Sequence, residues 1–126
     1  MSVIQVKSGV LFTTIAPGGF RILSAIDKTC VKLGLDFVLT SACDGVHSGP
    51  NDPHHSGNAY DLRSHDFTAD QKDRILAEVM TILGWDCFYG FLEDPGQDTE
   101  HFHFQVKKGT VYPPINPTML SGGSGS

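Results

Sequence analysis

The sequence has no long apolar run, no cluster of lysine and arginine, and few cysteines. Nine Lys and Arg residues stand against 14 Asp and Glu residues, and the formal net charge of −5 argues against a surface that neutralises nucleic-acid phosphates or anionic lipid. No stretch is long enough to cross a membrane, and the N-terminal residues lack the pattern of a secretory signal. We therefore expect no nucleic-acid or membrane partner, and synthesis in the cytoplasm without an export signal.

The cysteine content is too low and too irregular for a disulfide framework. Cys30, Cys43 and Cys87 are odd in number, and their spacing matches neither a CxxC metal site nor a CxxC redox site. We predict free thiols or small buried apolar side chains in a reducing compartment.

The composition is that of one folded domain. Of 126 residues, 40% are hydrophobic and 18% are charged, which is ordinary for a globular protein that buries its own core. We predict a single domain over residues 1–117, acting as a monomer. Residues 118–126 include the Gly/Ser string Ser121-Gly-Gly-Ser-Gly-Ser126, which is typical of a flexible linker.

The apolar spacing and the turn residues predict an α+β fold, with helices packed on a small, mostly antiparallel sheet. Gly34 and Gly84 end the two predicted helices, and Thr68 with Gln71 forms a capping box that opens the second one. Residues 42–53, rich in Gly, Pro, Asn, Asp and Ser, form a long loop. The predicted elements are a helix at 18–33, strands at 36–41 and 58–62, a helix from 68 to 83, and a hairpin of strands at 85–92 and 102–106.

Four of the six histidines form two groups beside carboxylates, which is typical of a metal site. His54 precedes Asp61 by seven residues, and the small residues Gly57 and Ala59 between them are expected to let the backbone pass close to a metal. His101 and His103 share one face of a predicted strand, so at least one of them can complete a His/Asp/His set. Such a set leaves one tetrahedral position free, as in catalytic zinc sites. Imidazoles favour Zn²⁺ over calcium or magnesium, with manganese, iron and cobalt as alternatives.

The segment from Asp52 to Asp61, Asp-Pro-His-His-Ser-Gly-Asn-Ala-Tyr-Asp, resembles the SxHxxGxAxD signature of the D-Ala-D-Ala carboxypeptidase and L-alanyl-D-glutamate endopeptidase family, which includes phage endolysin-like members. The His101-Phe-His103 segment is similar to the family's HxH motif. The resemblance extends to the zinc-holding signalling domain of hedgehog proteins across residues 44–48 and 84–86 and covers roughly half of the chain. It implies His54, Asp61 and His103 as metal ligands, and a catalytic role for His101.

The same resemblance implies a general base near the HxH motif. We prefer Glu93, at the end of a predicted strand, with Asp98 and Glu100 as alternatives. The implied function is zinc-dependent hydrolysis of an amide bond in peptidoglycan stem peptides, acting on the cell wall after release, as in phage lysis. Two alternatives remain: a hedgehog-like binding module that keeps the zinc without the reaction, and a structural zinc whose fourth position is filled by His101.

The sequence also departs from the family. The loop after the strand at 36–41 lacks the arginine that many members use to bind substrate carboxylate, and Asp52 replaces the signature serine. His47 and Ser48 are candidates to line the cleft instead. We expect surface positions for His55 and His65, and core or cleft-wall positions for the aromatic residues Trp85, Phe88, Tyr89 and Phe91.

Overall fold

The structure, a computed structural model, describes residues 2–44, 52–108 and 110. It has the predicted α+β architecture of helices packed on one small sheet. Within the described ranges, neither helix is long and apolar enough to cross a membrane. In chain order the elements are β1 (Ile4–Val6), α1 (Pro17–Leu33), β2 (Phe37–Ser41), β3 (Ala59–Arg63), α2 (Ala69–Leu83), β4 (Phe88–Glu93) and β5 (His101–Val106).

The five strands form one mixed sheet in the order β1-β2-β3-β5-β4. All neighbouring pairs are antiparallel except β1 and β2, which run parallel. The predicted hairpin is confirmed, since β4 pairs with β5 from Phe88 opposite Val106 to Glu93 opposite His101. The short strand β1 was not predicted from the sequence.

The helix ends follow the local sequence signals. Gly34 adopts a left-handed conformation with φ of 65° and donates its N–H to the carbonyl oxygen of Cys30, which closes α1. At the start of α2, the Thr68 hydroxyl accepts from the Gln71 N–H while the Gln71 side chain accepts from the Thr68 N–H. This reciprocal pair is the predicted capping box.

The two faces of the sheet carry different residues because side chains alternate along each strand. Tyr60 and Leu62 of β3 and Phe102 and Phe104 of β5 are buried in the core, together with apolar residues of both helices. The residues between them point to the opposite side, which we call the open face. The open-face residues of β3 and β5 are Ala59, Asp61, Arg63, His101, His103 and Gln105.

Several sequence predictions need correction at the surface. The strand predicted from Trp85 begins at Phe88, and Trp85 is 56% exposed, so it is not a core residue. Phe20 and Ile82, which extend the apolar stripes of the helices, are also exposed. The cysteines are unpaired as predicted, with Cys30 and Cys43 buried. His47, Ser48, the domain boundary at 117 and the C-terminal tail lie outside the described residues.

Candidate metal centre

Strand register brings the predicted site residues of β3, β4 and β5 together on the open face. Asp61 lies directly opposite His103, which in turn lies opposite Phe91 of β4. One pair further along, His101 lies between Arg63 of β3 and Glu93 of β4. Directly opposed residues in antiparallel strands have Cβ atoms about 4.5–5.5 Å apart, so strand pairing makes these side chains neighbours.

His54 reaches the same place from the turn that precedes β3. The Asp52 carboxylate accepts the backbone N–H of His54 at 2.9 Å, which gives the residue in the signature's serine position a local role in shaping the turn. The imidazole Nδ1 lies 2.8 Å from the carbonyl oxygen of Ala42, just after β2. His54 is therefore buried and oriented by contacts on both sides of the long loop.

Gly57 is required by packing against the segment before α1. Its φ is 74°, and a Cβ at this position would lie 2.3 Å from the carbonyl oxygen of Thr14. Its own carbonyl oxygen accepts the Tyr60 hydroxyl at 3.0 Å. A Cβ on Gly19, at the start of α1, would meet that same oxygen at 1.8 Å. The turn carrying His54 thus lies tightly against the segment before α1.

The predicted ligand atoms of His54, Asp61 and His103 converge. Asp61 Oδ1 lies 3.4 Å from His54 Nε2 and 2.8 Å from His103 Nδ1, and the three atoms all lie within 4.8 Å of one another. The residues are buried, with exposed fractions of 3%, 9% and 8%. The three side chains form a candidate metal-binding cluster, as the sequence predicted.

The far nitrogens of both imidazoles are fixed by acceptors. His54 Nδ1 donates to the Ala42 carbonyl, and His103 Nε2 lies 2.7 Å from Gln105 Oε1. The Gln105 amide nitrogen faces the Val106 carbonyl at 3.3 Å, which orients its oxygen toward His103. In the neutral form each ring therefore turns its other nitrogen, with its lone pair, toward the Asp61 carboxylate, and a proton or a metal cation between them is stabilised. The donor set fits zinc, which takes imidazole nitrogen and carboxylate oxygen.

The electrostatics of the cluster agree with an affinity for positive charge. Burial alone would raise the pKa of Asp61, but hydrogen bonding and charge interaction with His103 and His54 outweigh it and hold the pKa well below its ordinary value. Burial would lower the pKa of each imidazole, and interaction with Asp61 outweighs it and raises both pKa values. The carboxylate thus stays ionised and stabilises a positive partner.

A second pair of predicted site residues lies beside the cluster. His101 Nδ1 is 2.7 Å from the carbonyl oxygen of Thr99, and His101 Nε2 is 2.8 Å from Glu93 Oε1 and 3.6 Å from Asp61 Oδ2. Glu93, His101 and His103 also bring one candidate ligand atom each within 4.8 Å of the others. Glu93 and His101 are thus placed next to the first cluster without belonging to it.

The alternative acids, Glu100 and Asp98, are placed differently. The Glu100 carboxylate accepts from the Gly96 N–H at 2.8 Å, from Lys72 Nζ at 2.5 Å and from the Ser64 hydroxyl at 2.7 Å. Its hydrogen bonds from Gly96, Lys72 and Ser64 lower its pKa to about 2. Asp98 is exposed, and its carbonyl oxygen contacts the His65 ring. These contacts disfavour Glu100 as a base and leave Glu93 as the carboxylate nearest the cluster.

The remaining predicted residues surround the cluster or lie apart from it. The Phe91 ring packs against the His103 ring with centroids 5.3 Å apart, so Phe91 serves as cleft wall. Phe88 is buried in the core, as expected. His65 is exposed and His55 is half-buried, neither being part of the metal cluster.

Gln105 was not identified as a site residue from the sequence. The alternation that places His101 and His103 on one face of β5 also places Gln105 there. The Ala42 carbonyl was missed too, since it approaches His54 only through the folded loop.

A groove runs along the open face from this centre toward β1. Asp61, Arg63 and His101 line it together with Lys7 and Thr40, and its volume is about 440 Å³. Within the described part of the chain, neither Arg63 nor Lys7 forms an ion pair. Asp98 and Glu100 also line the groove, so its charge is mixed, with Arg63 and Lys7 as its two cationic side chains.

Comparison with known proteins adds no assignment to this geometry. No protein-family model, no curated protein and no solved structure gives a significant match to the chain. Functional assignment therefore depends on the arrangement of side chains on the open face.

Proposed function

We propose that the protein is a zinc-dependent peptidase that hydrolyses an amide bond in peptidoglycan stem peptides. One observation carries the proposal: the buried His54, Asp61 and His103 cluster has an acid and an imidazole, Glu93 and His101, directly beside it at the end of an open groove. A metal held by three protein ligands with a carboxylate nearby is the usual equipment of a zinc hydrolase. The resemblance of the His54–Asp61 and His101–His103 segments to cell-wall peptidases supplies the substrate class.

In this proposal His54, Asp61 and His103 would hold the zinc, through the atoms that face one another in the cluster. Zinc bound there would polarise the scissile carbonyl and lower the pKa of a water molecule to about 7. Glu93 takes the proton from the attacking water and delivers it to the leaving nitrogen as the C–N bond breaks. The products are one new carboxylate and one new amine, so no other reactant is required.

His101 is proposed to stabilise negative charge on the carbonyl oxygen. Its Nδ1 contact with the Thr99 carbonyl fixes the ring, and its Nε2 lies between Glu93 and Asp61. A protonated ring there would place positive charge where the oxygen becomes anionic. His101 faces Glu93 rather than completing the ligand set, which favours a catalytic centre over the alternative of a structural zinc closed by His101.

The two cationic side chains of the groove, Arg63 and Lys7, support a substrate that carries a carboxylate. Arg63 lies two residues beyond Asp61 on the same strand face, about 7 Å away along β3. Its guanidinium, with Lys7 across the groove, supplies the positive charge that the loop lacks at the family's arginine position. Stem peptides fit, because they carry a free carboxylate at their C-terminus and on their glutamate residue.

The test is digestion of purified cell walls by the zinc-loaded protein, with the released muropeptides identified by mass spectrometry. We expect one type of peptide bond to be cut, and Glu93→Gln to lower the rate by about 10²–10⁴-fold while zinc stays bound. Glu78→Gln is the matched control, since Glu78 pairs with Lys32 between the helices, away from the open face. Glu93→Gln digesting walls at the parent rate would contradict the proposed base.

The same experiment separates the second candidate, a binding module that retains zinc without the reaction. Stoichiometric zinc with no cleavage of any muropeptide, together with saturable binding to cell walls, would favour that module. Retention of full wall digestion after exhaustive chelation would remove zinc from the mechanism altogether.

A further inference from the structure

The Glu93–His101 pair resembles the first metal cluster: one ring nitrogen contacts a backbone carbonyl and the other faces a carboxylate. The far nitrogen of His101 contacts the Thr99 carbonyl at 2.7 Å, so in the neutral ring this nitrogen is the donor and Nε2 carries the lone pair. That lone pair faces Glu93 Oε1 at 2.8 Å and Asp61 Oδ2 at 3.6 Å. Two carboxylate oxygens therefore face one imidazole nitrogen here, and such an arrangement favours a cation between them.

Asp61 is the residue that can join the two groups. Its Oδ1 faces His54 and His103, and its Oδ2 faces His101. A carboxylate with one oxygen toward each of two cation positions is typical of two-metal hydrolytic sites, whose ions lie about 3.5–4 Å apart. His103 cannot serve both positions, because Gln105 holds one of its two nitrogens.

We propose that the open face binds a second divalent cation between Glu93 and His101, bridged to the first by Asp61. The ligand chemistry is the same as in the first cluster, imidazole nitrogen and carboxylate oxygen, so the second ion is also a transition metal such as zinc. The Glu93 side chain is 44% exposed, against 12% for Asp61. The second position is therefore more hydrated and weaker than the first, and fills only when zinc is in excess.

The second ion has a consequence for catalysis, and this part rests on the proposed function. A metal-bound Glu93 is a much weaker base, because the cation withdraws electron density from the carboxylate and competes with the proton for it. Hydrolysis should therefore rise as the first site fills and fall again as the second site fills. Free zinc concentration would then regulate the enzyme.

The test is zinc stoichiometry by equilibrium dialysis, which needs no substrate. We expect two zinc ions per chain in the parent, and one in Glu93→Gln and in His101→Gln, with the first-ion affinity changed less than about tenfold. Loss of a direct ligand should lower the affinity for the second ion by at least about 100-fold, since loss of a residue that only orients a ligand already lowers metal affinity by about 10–100-fold. Glu78→Gln is the control and should bind two ions.

Cobalt(II) provides an independent readout of the bridge. Two Co²⁺ ions joined by Asp61 should couple magnetically and weaken the electron paramagnetic resonance signal of the parent, while Glu93→Gln with one ion should give the full signal of an isolated ion. One zinc ion per parent chain, two ions in every variant, or two uncoupled cobalt ions would each overturn the proposal.

The outcomes also separate this inference from the proposed function. One ion with cell-wall hydrolysis would leave the peptidase intact and remove the second site. Two coupled ions without hydrolysis would do the reverse.

Discussion

The two faces of strands β3 and β5 differ completely although they are made by alternating residues of the same short segments. Tyr60, Phe102 and Phe104 are wholly buried against the helices, while Asp61 and His103, their immediate neighbours in sequence, form a polar cluster on the other side. The apolar face contributes folding free energy through burial. The open face lowers the net free energy of unfolding, because its charged groups are removed from water when the protein folds. Residues that stabilise the fold and residues of the candidate metal site thus alternate along the same strands.

The largest expected change in the free energy of unfolding comes from a substitution on the apolar face. Phe102→Ala should lower the free energy of unfolding by about 3–5 kcal/mol, because Phe102 is fully buried against Phe67 and Phe104. Phe91→Ala is the matched control on the open face, where the ring is 39% exposed, and should cost roughly half as much or less. Urea denaturation measures both. Equal losses would mean that the two faces contribute alike.

Zinc should offset the cost of the open face. Binding to the folded state alone stabilises by about 2.7 kcal/mol at a free metal concentration 100 times the Kd. We expect a matching rise in Tm for the parent, and a much smaller rise for His54→Ala, which removes one imidazole of the cluster. Calorimetry with and without a chelator measures the difference. An equal rise in both proteins would place the metal elsewhere.

Gln105 tests how far the open face is organised around the metal. Gln105→Ala removes the acceptor that fixes His103 Nε2 and should weaken zinc binding by about 10–100-fold with the three ligands intact. Competition with a coloured chelator measures the affinity. Gln97→Ala, in the exposed turn before β5, is the control and should bind zinc as the parent does. Unchanged affinity in Gln105→Ala would show that the ring needs no such support.

The smallest effect concerns Glu100, which lies next to the open face in sequence yet serves the fold. Its pKa is about 2 in the folded protein against an ordinary 4.5, so it stabilises the fold fully above pH 4.5. This contribution is lost as pH falls from about 4.5 through 2. The Tm difference between parent and Glu100→Gln should therefore be widest near neutral pH and should narrow over that interval. A pH-independent difference would contradict the ion pair with Lys72.

Much of the fold was accessible from the sequence because the signals are local. Both helices, the capping box at Thr68, the stop at Gly34 and the hairpin follow from spacing within a few residues. Strand β1 was not accessible, since Ile4–Val6 is short and partly exposed and owes its conformation to pairing with a distant segment. Trp85 was misplaced because an aromatic-rich run does not reveal which of its members is buried.

The candidate site was also predictable only in part. The histidines grouped beside carboxylates indicated a His/Asp/His set, and the resemblance to the peptidase family assigned His103 rather than His101 to it. The structure brings His54, Asp61 and His103 together. Alternation alone could have separated Glu100 from His101 and could have added Gln105. The Ala42 carbonyl and the packing of Gly57 on Thr14 could not be foreseen, because both depend on where a long loop returns.

The alternation along β5 also protects the fold against mispairing. A slip of one residue against β3 would turn the imidazoles of His101 and His103 into the hydrocarbon interior and expose the rings of Phe102 and Phe104 to water. Because both exchanges are unfavourable at once, the polar residues that we assign to catalysis also select the correct strand register during folding.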